Sequence, residues 1–213
     1  MKEDNILSAF EKKETEVEDI TEKVMKNPNL LPELFVGFSS TSPRIKFGSA
    51  KTLRIISERN PELLYPRMDF FADLLDSENN ILKWITMDII ANLTTIDYRD
   101  EFNKLFKKFY SYLYEGSLIT AGHVVDNSGK IALSKPELQD EITQELLKIE
   151  KIPLPTKECR NILIGKTIQA FEIYSDRIKD KDEMVSFVKR QLNNPRSATK
   201  AKAEKFLKRY EKR

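Results

Sequence analysis

Few residues in this chain are of a type and spacing that could do chemistry. Gly122 to Lys130, GHVVDNSGK, sets a lysine beside two glycines, the raw material of a phosphate-binding loop. Such a loop needs four residues between its glycines and a Ser or Thr after the lysine to hold Mg²⁺. Here six residues intervene and Ile131 follows, so the segment reads as a distorted helix. His123 is the single histidine and Cys159 the single cysteine. A zinc site needs several such ligands, so no metal site is expected. A Cys–His nucleophile pair needs contact and a polarised thiol. His123 and Cys159 fall in neighbouring helix pairs, where contact is open, but no oxyanion device accompanies them. A core cysteine and a surface histidine is the preferred reading, with no catalytic residue and no cofactor. Two further constellations suit binding. Lys46, Lys83, Arg160 and Lys200 recur as the first base of successive helices. Trp84 and Asp88 stand at i and i+4, on one helix face.

Helices must position all of these. Residues 68–93 read as two, separated by the polar run Asp76-Ser77-Glu78-Asn79-Asn80. Met68, Phe71, Ala72 and Leu75 lie on one face of the first. Leu82, Ile85, Ile89, Leu93 and Ile96 trace a stripe on the second, which Trp84, Met87 and Ile90 widen. A helix apolar over so wide an arc must be covered on more than one side, so the pair must stack on others. Upstream, a helix through Val17, Ile20 and Val24 ends at Pro28. A short helix spans 30–38 and another spans 44–59. Downstream, Tyr98, Phe102, Leu105, Phe106, Phe109 and Leu113 keep helical spacing. The helix over 118–133 is the weakest, because Gly122 and Gly129 each cost about 1 kcal/mol there. Leu138, Ile142 and Leu146 mark the next helix. The connector Ile152-Pro153-Leu154-Pro155-Thr156 precedes a long helix over 158–178. Asp180 with Glu183 reads as an N-cap and its N3 acid. Met184, Phe187, Val188 and Leu192 form a further stripe before a last helix over 197–210.

The second helices align on the first basic position. Lys46, Lys83, Arg160 and Lys200 match, Thr120 fills the remaining slot, and the spacings are 37, 37, 40 and 40. Seven residues on stand Leu53, Ile90 and Leu207, with Asn127 and Thr167 in the other two slots. Asn60-Pro61-Glu62-Leu63 and Lys135-Pro136-Glu137-Leu138 lie 75 apart, two periods. Helix pairs recurring at about 37–47 residues are the signature of HEAT and armadillo solenoids. LLDSENNILKWITMDIIANL (74–93) resembles a HEAT repeat, with Asp76 as the turn acid and a base opening the second helix. QLNNPRSATKAKAEKFL (191–207) is similar, with Asn193 or Asn194 in the acid's place. The chain also resembles uncharacterised prokaryotic HEAT-like proteins. Ser39-Ser40 replaces the acid in the first pair, and the third pair lacks the base.

Composition sets the outer limits. The 213 residues carry a net charge of +2, 40% hydrophobic and 33% charged residues, six glycines and nine prolines. That is too few glycines and prolines for a loop-rich β fold, and too little charge to imply a polyanionic partner. No apolar run approaches the roughly 20 residues that cross a bilayer. The first residues lack the apolar core of a signal peptide, and one cysteine excludes an intramolecular disulfide. The expectation is a soluble, cytoplasmic protein with no membrane association and no small-molecule substrate. Residues 1–25 are rich in acids and residues 189–213 in bases. Lys200, Lys202, Lys205, Lys208, Arg209, Lys212 and Arg213 are expected around the free surface of the last helix rather than along one edge.

The reading is therefore all-α: a right-handed superhelix of about five helix pairs in one domain over 1–213. A capping region, 1–27, precedes repeats at 28–60, 61–97, 98–135, 136–179 and 180–213. The resemblance implies a non-enzymatic scaffold that binds a protein partner on a concave face lined by second helices. Lys46, Lys83, Arg160 and Lys200 could then meet an acidic peptide or phosphates. In the structural reading of the row, which is preferred, each base bonds a turn acid, most clearly Lys83 with Asp76. HEAT-like alkylpurine DNA glycosylases use an aromatic cleft with an acid that stabilises positive charge on the sugar. Trp84 with Asp88 looks like a fragment of that arrangement. A nucleic-acid-binding protein of that kind is the alternative.

Overall fold

A computed structural model describes residues 5–12, 15–178 and 180–211, the last without its side chain. Twelve α-helices and several 3-10 turns, with no strand, make up the described residues. The protein is all-α. It divides into two compact units, Met1–Glu101 and Phe102–Arg213. The proline-rich connector 152–156 lies inside the second.

The first unit holds α1 (Ile6–Ala9), α2 (Val17–Lys26), α3 (Leu31–Gly37), α4 (Pro43–Arg59), α5 (Met68–Leu74) and α6 (Asn80–Leu93). Helix α2 packs on α4 and α4 on α6, while the short α3 and α5 lean on the helix that follows each. The wide apolar arc of α6 has its cause here. Leu82, Ile85, Met87, Ile89, Ile90 and Leu93 are all buried, covered by α4 on one side and α5 on another. Asn79 starts α6 by accepting the amides of Ile81 and Leu82 at 3.1 and 3.2 Å, the side-chain capping that an N-terminus requires.

The second unit holds α7 (Glu101–Ser111), α8 (Leu118–Ser134), α9 (Gln139–Leu147), α10 (Lys157–Tyr174), α11 (Asp182–Arg190) and α12 (Ser197–Glu211). Helix α10 lies between α8 and α12; α9 touches α8 and α11, and α11 touches α12. Gly116, at φ +77°, makes the left-handed turn before α8, a conformation glycine adopts without steric cost. Ser117 and Thr156 then cap α8 and α10.

Several expectations need correction. Helix α8 is unbroken rather than distorted. At Gly129, α10 comes so close that packing offsets the low helix propensity of glycine. Tyr98 precedes α7 and is 69% exposed, stacked on Tyr65 at 4.6 Å between ring centroids. Asp180 is not the N-cap of α11; Lys181 is, and it makes no side-chain cap. Asp180 instead accepts the amide of Asp182, and Glu183 accepts from Gln144 of α9. Helix α10 stops at Tyr174 rather than Ile178.

Several buried hydroxyls are satisfied within each unit, whereas those of Ser49 and Thr86 have no hydrogen-bond partner among the described residues. Tyr65 donates to Asp97 at 2.6 Å and accepts the Arg99 amide, while Asp97 also accepts the amide of Glu101. Tyr110 donates to Ser128, and Thr143 and Tyr174 share a hydrogen bond. Burial, helped by the bond to Asp97, pushes the Tyr65 phenol up to about 12. Burial also raises Tyr110 and Tyr174 well above the ordinary tyrosine range. In the unfolded chain a tyrosine ionises near pH 10. The stability tied to the Tyr65 phenol is therefore complete below about pH 10 and is lost as pH rises through about 12. The urea midpoint of the parent should fall more steeply across that window than that of Tyr65→Phe. Parallel curves would show that the phenol contributes nothing to alkaline unfolding.

Candidate functional site

The face most suited to binding in the second unit is built from α8, α10 and α12. Contacts run in the same order along neighbouring helices, so the three are parallel. Lys166 of α10 lies over Gly122 of α8 and pairs with Asp126; further on, Ile173 lies over Gly129. Between α10 and α12 the ladder is Glu158–Arg196, Asn161–Thr199, Gln169–Lys202, Glu172–Lys205 and Asp176–Arg209.

One device occurs twice. The Lys166 stem crosses Gly122 and its ammonium reaches Asp126, four residues on. The Lys202 stem crosses Gly165 and its ammonium donates to Gln169, again four residues on, at 2.7 Å. A Cβ at Gly122 would stand 3.6 Å from Lys166 Cε, and one at Gly165 3.5 Å from Lys202 Nζ. The aliphatic stems lie along these glycines with their charged ends near water, at ordinary contact distance; the close neighbour of a Cβ at Gly165 would be Thr199 Oγ1, at 2.8 Å. Burial lowers the Lys202 pKa, and repulsion from Lys166 and Arg196 lowers it further.

The bases expected as a row have separate roles. Lys46, on α4, is half-buried. Lys83, Trp84 and Asp88 are half-buried on α6, so Trp84 is neither fully core nor fully exposed. Arg160 donates to the Ile152 carbonyl at 3.2 Å, tying the proline-rich connector to α10 rather than meeting a turn acid. Lys200 is exposed, 3.9 Å from Glu204 on its own helix. Arg160 and Lys200 therefore hold different partners. The cations of α12 are less scattered than expected: Lys202, Lys205 and Arg209 face α10. Lys212 and Arg213 lie outside the described residues.

The Cys–His pair is not formed. Cys159 accepts from the Thr156 hydroxyl at 3.1 Å, and His123 is on α8. Both are half-buried rather than core and surface. Among the described residues no cluster of three or more His, Cys, Asp or Glu could hold a metal ion, and no helix is long and apolar enough to cross a membrane.

No protein-family model matches the chain, and no curated protein does. The crystal structure of an engineered protein from the Northeast Structural Genomics Consortium is similar in fold. It aligns over 100% of this chain and 98% of that one, with a TM-score of 0.55 and 14% identity. The likeness is one of fold.

Beyond the ladder, a cavity of about 620 Å³ opens where α10 and α12 end and α11 begins. Glu172, Asp176, Asp180 and Asp182 line it with Phe206 and Tyr210. Lys181 and Arg209 line it as well, so the cavity carries both signs of charge. Neither the cavity nor the lysine seats were found from sequence. The seats have a weak signal, a helix glycine with a polar acceptor four residues on. The lysine comes from the next pair, so its register shows only after folding.

Proposed function

We propose that the chain is a non-enzymatic HEAT-like scaffold. In this reading five helix pairs form a right-handed superhelix, and a protein partner binds along the face of the second helices. The observation that supports it most is the parallel layer of α8, α10 and α12. Cross-helix pairs fix its side chains in place, while Ile119, Asp126, Gln169 and Ile173 remain exposed on it. Such a layer offers a preorganised surface, which lowers the ordering cost of binding.

The test is capture of partners from the host by the full chain, compared across two variants. Ile119→Asp with Gln169→Arg alters the second-helix face, and Lys107→Glu alters exposed α7. Partners retained by the parent should survive Lys107→Glu and be lost from the double variant, with circular dichroism unchanged. Equal retention by all three proteins would refute the assignment of the face. Duplex DNA binding that persists at physiological salt would refute the protein partner itself, since backbone contacts weaken steeply with salt.

A further inference from the structure

The geometry points to a carboxylate-bearing segment of the partner as the ligand of Lys202, on the α8–α10–α12 layer. This inference rests on the scaffold reading and adds the chemistry of the partner. Three cations, Lys166, Arg196 and Lys202, converge there from two helices and the turn before α12. Two have carboxylates: Lys166 pairs with Asp126, and Arg196 with Glu158. Lys202 differs. Among the described residues it makes no ion pair, and its ammonium donates to the neutral oxygen of Gln169.

The nearby acids, Asp126 and Glu172, attract Lys202 less than burial and the cations Lys166 and Arg196 oppose its charge, an unfavourable arrangement in the free protein. Its stem is seated over Gly165, so it cannot swing away without giving up that contact. The next acid along the ladder, Glu172, is engaged by Lys205 at 3.6 Å. An incoming carboxylate would add a direct charge-assisted hydrogen bond that neither Asp126 nor Glu172 makes to it. Ile173 lies one turn beyond Gln169 on α10 and is 47% exposed. A segment carrying an acid followed by an apolar residue would meet both. Held cations of this kind act chiefly on specificity and association rate.

The probe is a glutamate-rich peptide with interspersed leucines, titrated into the full chain and followed by amide chemical shifts. Saturable shifts centred on Gln169, Ile173 and Lys202 are expected. Lys202→Gln should weaken binding about tenfold, Lys202→Arg should restore it, and Lys208→Gln, on exposed α12 surface, should leave it unchanged. Unaltered thermal melting of Lys202→Gln checks that the fold is intact. Inorganic phosphate is titrated alongside. Phosphate that saturates the same amides while the peptide does not would replace the carboxylate with a phosphate ligand and overturn the inference. An equal loss in Lys208→Gln would overturn it as nonspecific attraction. Absence of peptide shifts, with partner capture still sensitive to the face variants, would reject this chemistry and leave the scaffold reading standing.

Discussion

Phe171→Ala is expected to destabilise the protein by about 3–5 kcal/mol, the range for deleting a large buried aromatic. Phe171 is fully buried on α10. Its ring meets Tyr174 edge-on at 6.2 Å and Phe187 of α11 at 5.7 Å. Tyr174 in turn shares its hydroxyl with Thr143 of α9. Truncation therefore leaves a cavity where α10 meets α11, beside the bond that ties it to α9. Domains of this size are stable by only about 5–15 kcal/mol, so the loss is a large fraction of the total. Urea unfolding followed by circular dichroism measures it. A change below about 1 kcal/mol would mean that neighbouring side chains collapse into the space.

Two glycines of α8 should respond in opposite directions to the same substitution. At Gly129 a new Cβ would stand 2.6 Å from Ile173 Cδ1 and 3.1 Å from both Ile173 Cβ and the Ala170 carbonyl oxygen. The methyl end of Ile173 can turn; its branched Cβ and the carbonyl cannot move without shifting α10. Gly129→Ala should cost about 1–3 kcal/mol, as overpacking does. At Gly122 the nearest atom would be Lys166 Cε at 3.6 Å, an ordinary contact. There the helix preference for alanine prevails, and Gly122→Ala should gain up to about 1 kcal/mol. Thermal melting of the two variants decides between packing and propensity. Two gains would show that α8 and α10 are less closely apposed than the structure has them.

The helices were legible in the sequence because their stripes are dense. Met68, Phe71 and Leu75 on α5, and Leu82 through Leu93 on α6, needed only a period of 3.6 residues. Proline and Asn-Pro-Glu turns gave most boundaries. What escaped depends on neighbours distant in sequence. Gly129 looks like a helix weakness until α10 is set against it. Arg160 looks like one of four equivalent bases until the Ile152 carbonyl is found beside it. Tyr98 has the spacing of the α7 stripe but lies in a turn, because Asp97 bonds back to Tyr65 and starts the helix later. For Trp84, sequence spacing does not tell half-burial from full burial. The α8–α10–α12 layer was the least legible part, since the partners of Lys166 and Lys202 are set by the offset between adjacent helices.

That offset has a consequence for how much the chain can be edited. Lys166 and Asp126 are 40 residues apart, Lys202 and Gln169 33, yet the two seats have the same form. The outer segments that join the layer helices, 135–156 and 175–196, are equal in length, so the difference of seven residues lies in how far along the helices each seat falls. The segment between α9 and α10 lies outside the layer and exposes Pro153 and Pro155, which makes it a natural place to graft an epitope, a fluorescent reporter or a second binding module. Insertions there lengthen the outer path without altering the register of the layer, whereas even a single-residue insertion within α10 would rotate every rung after it by about 100°.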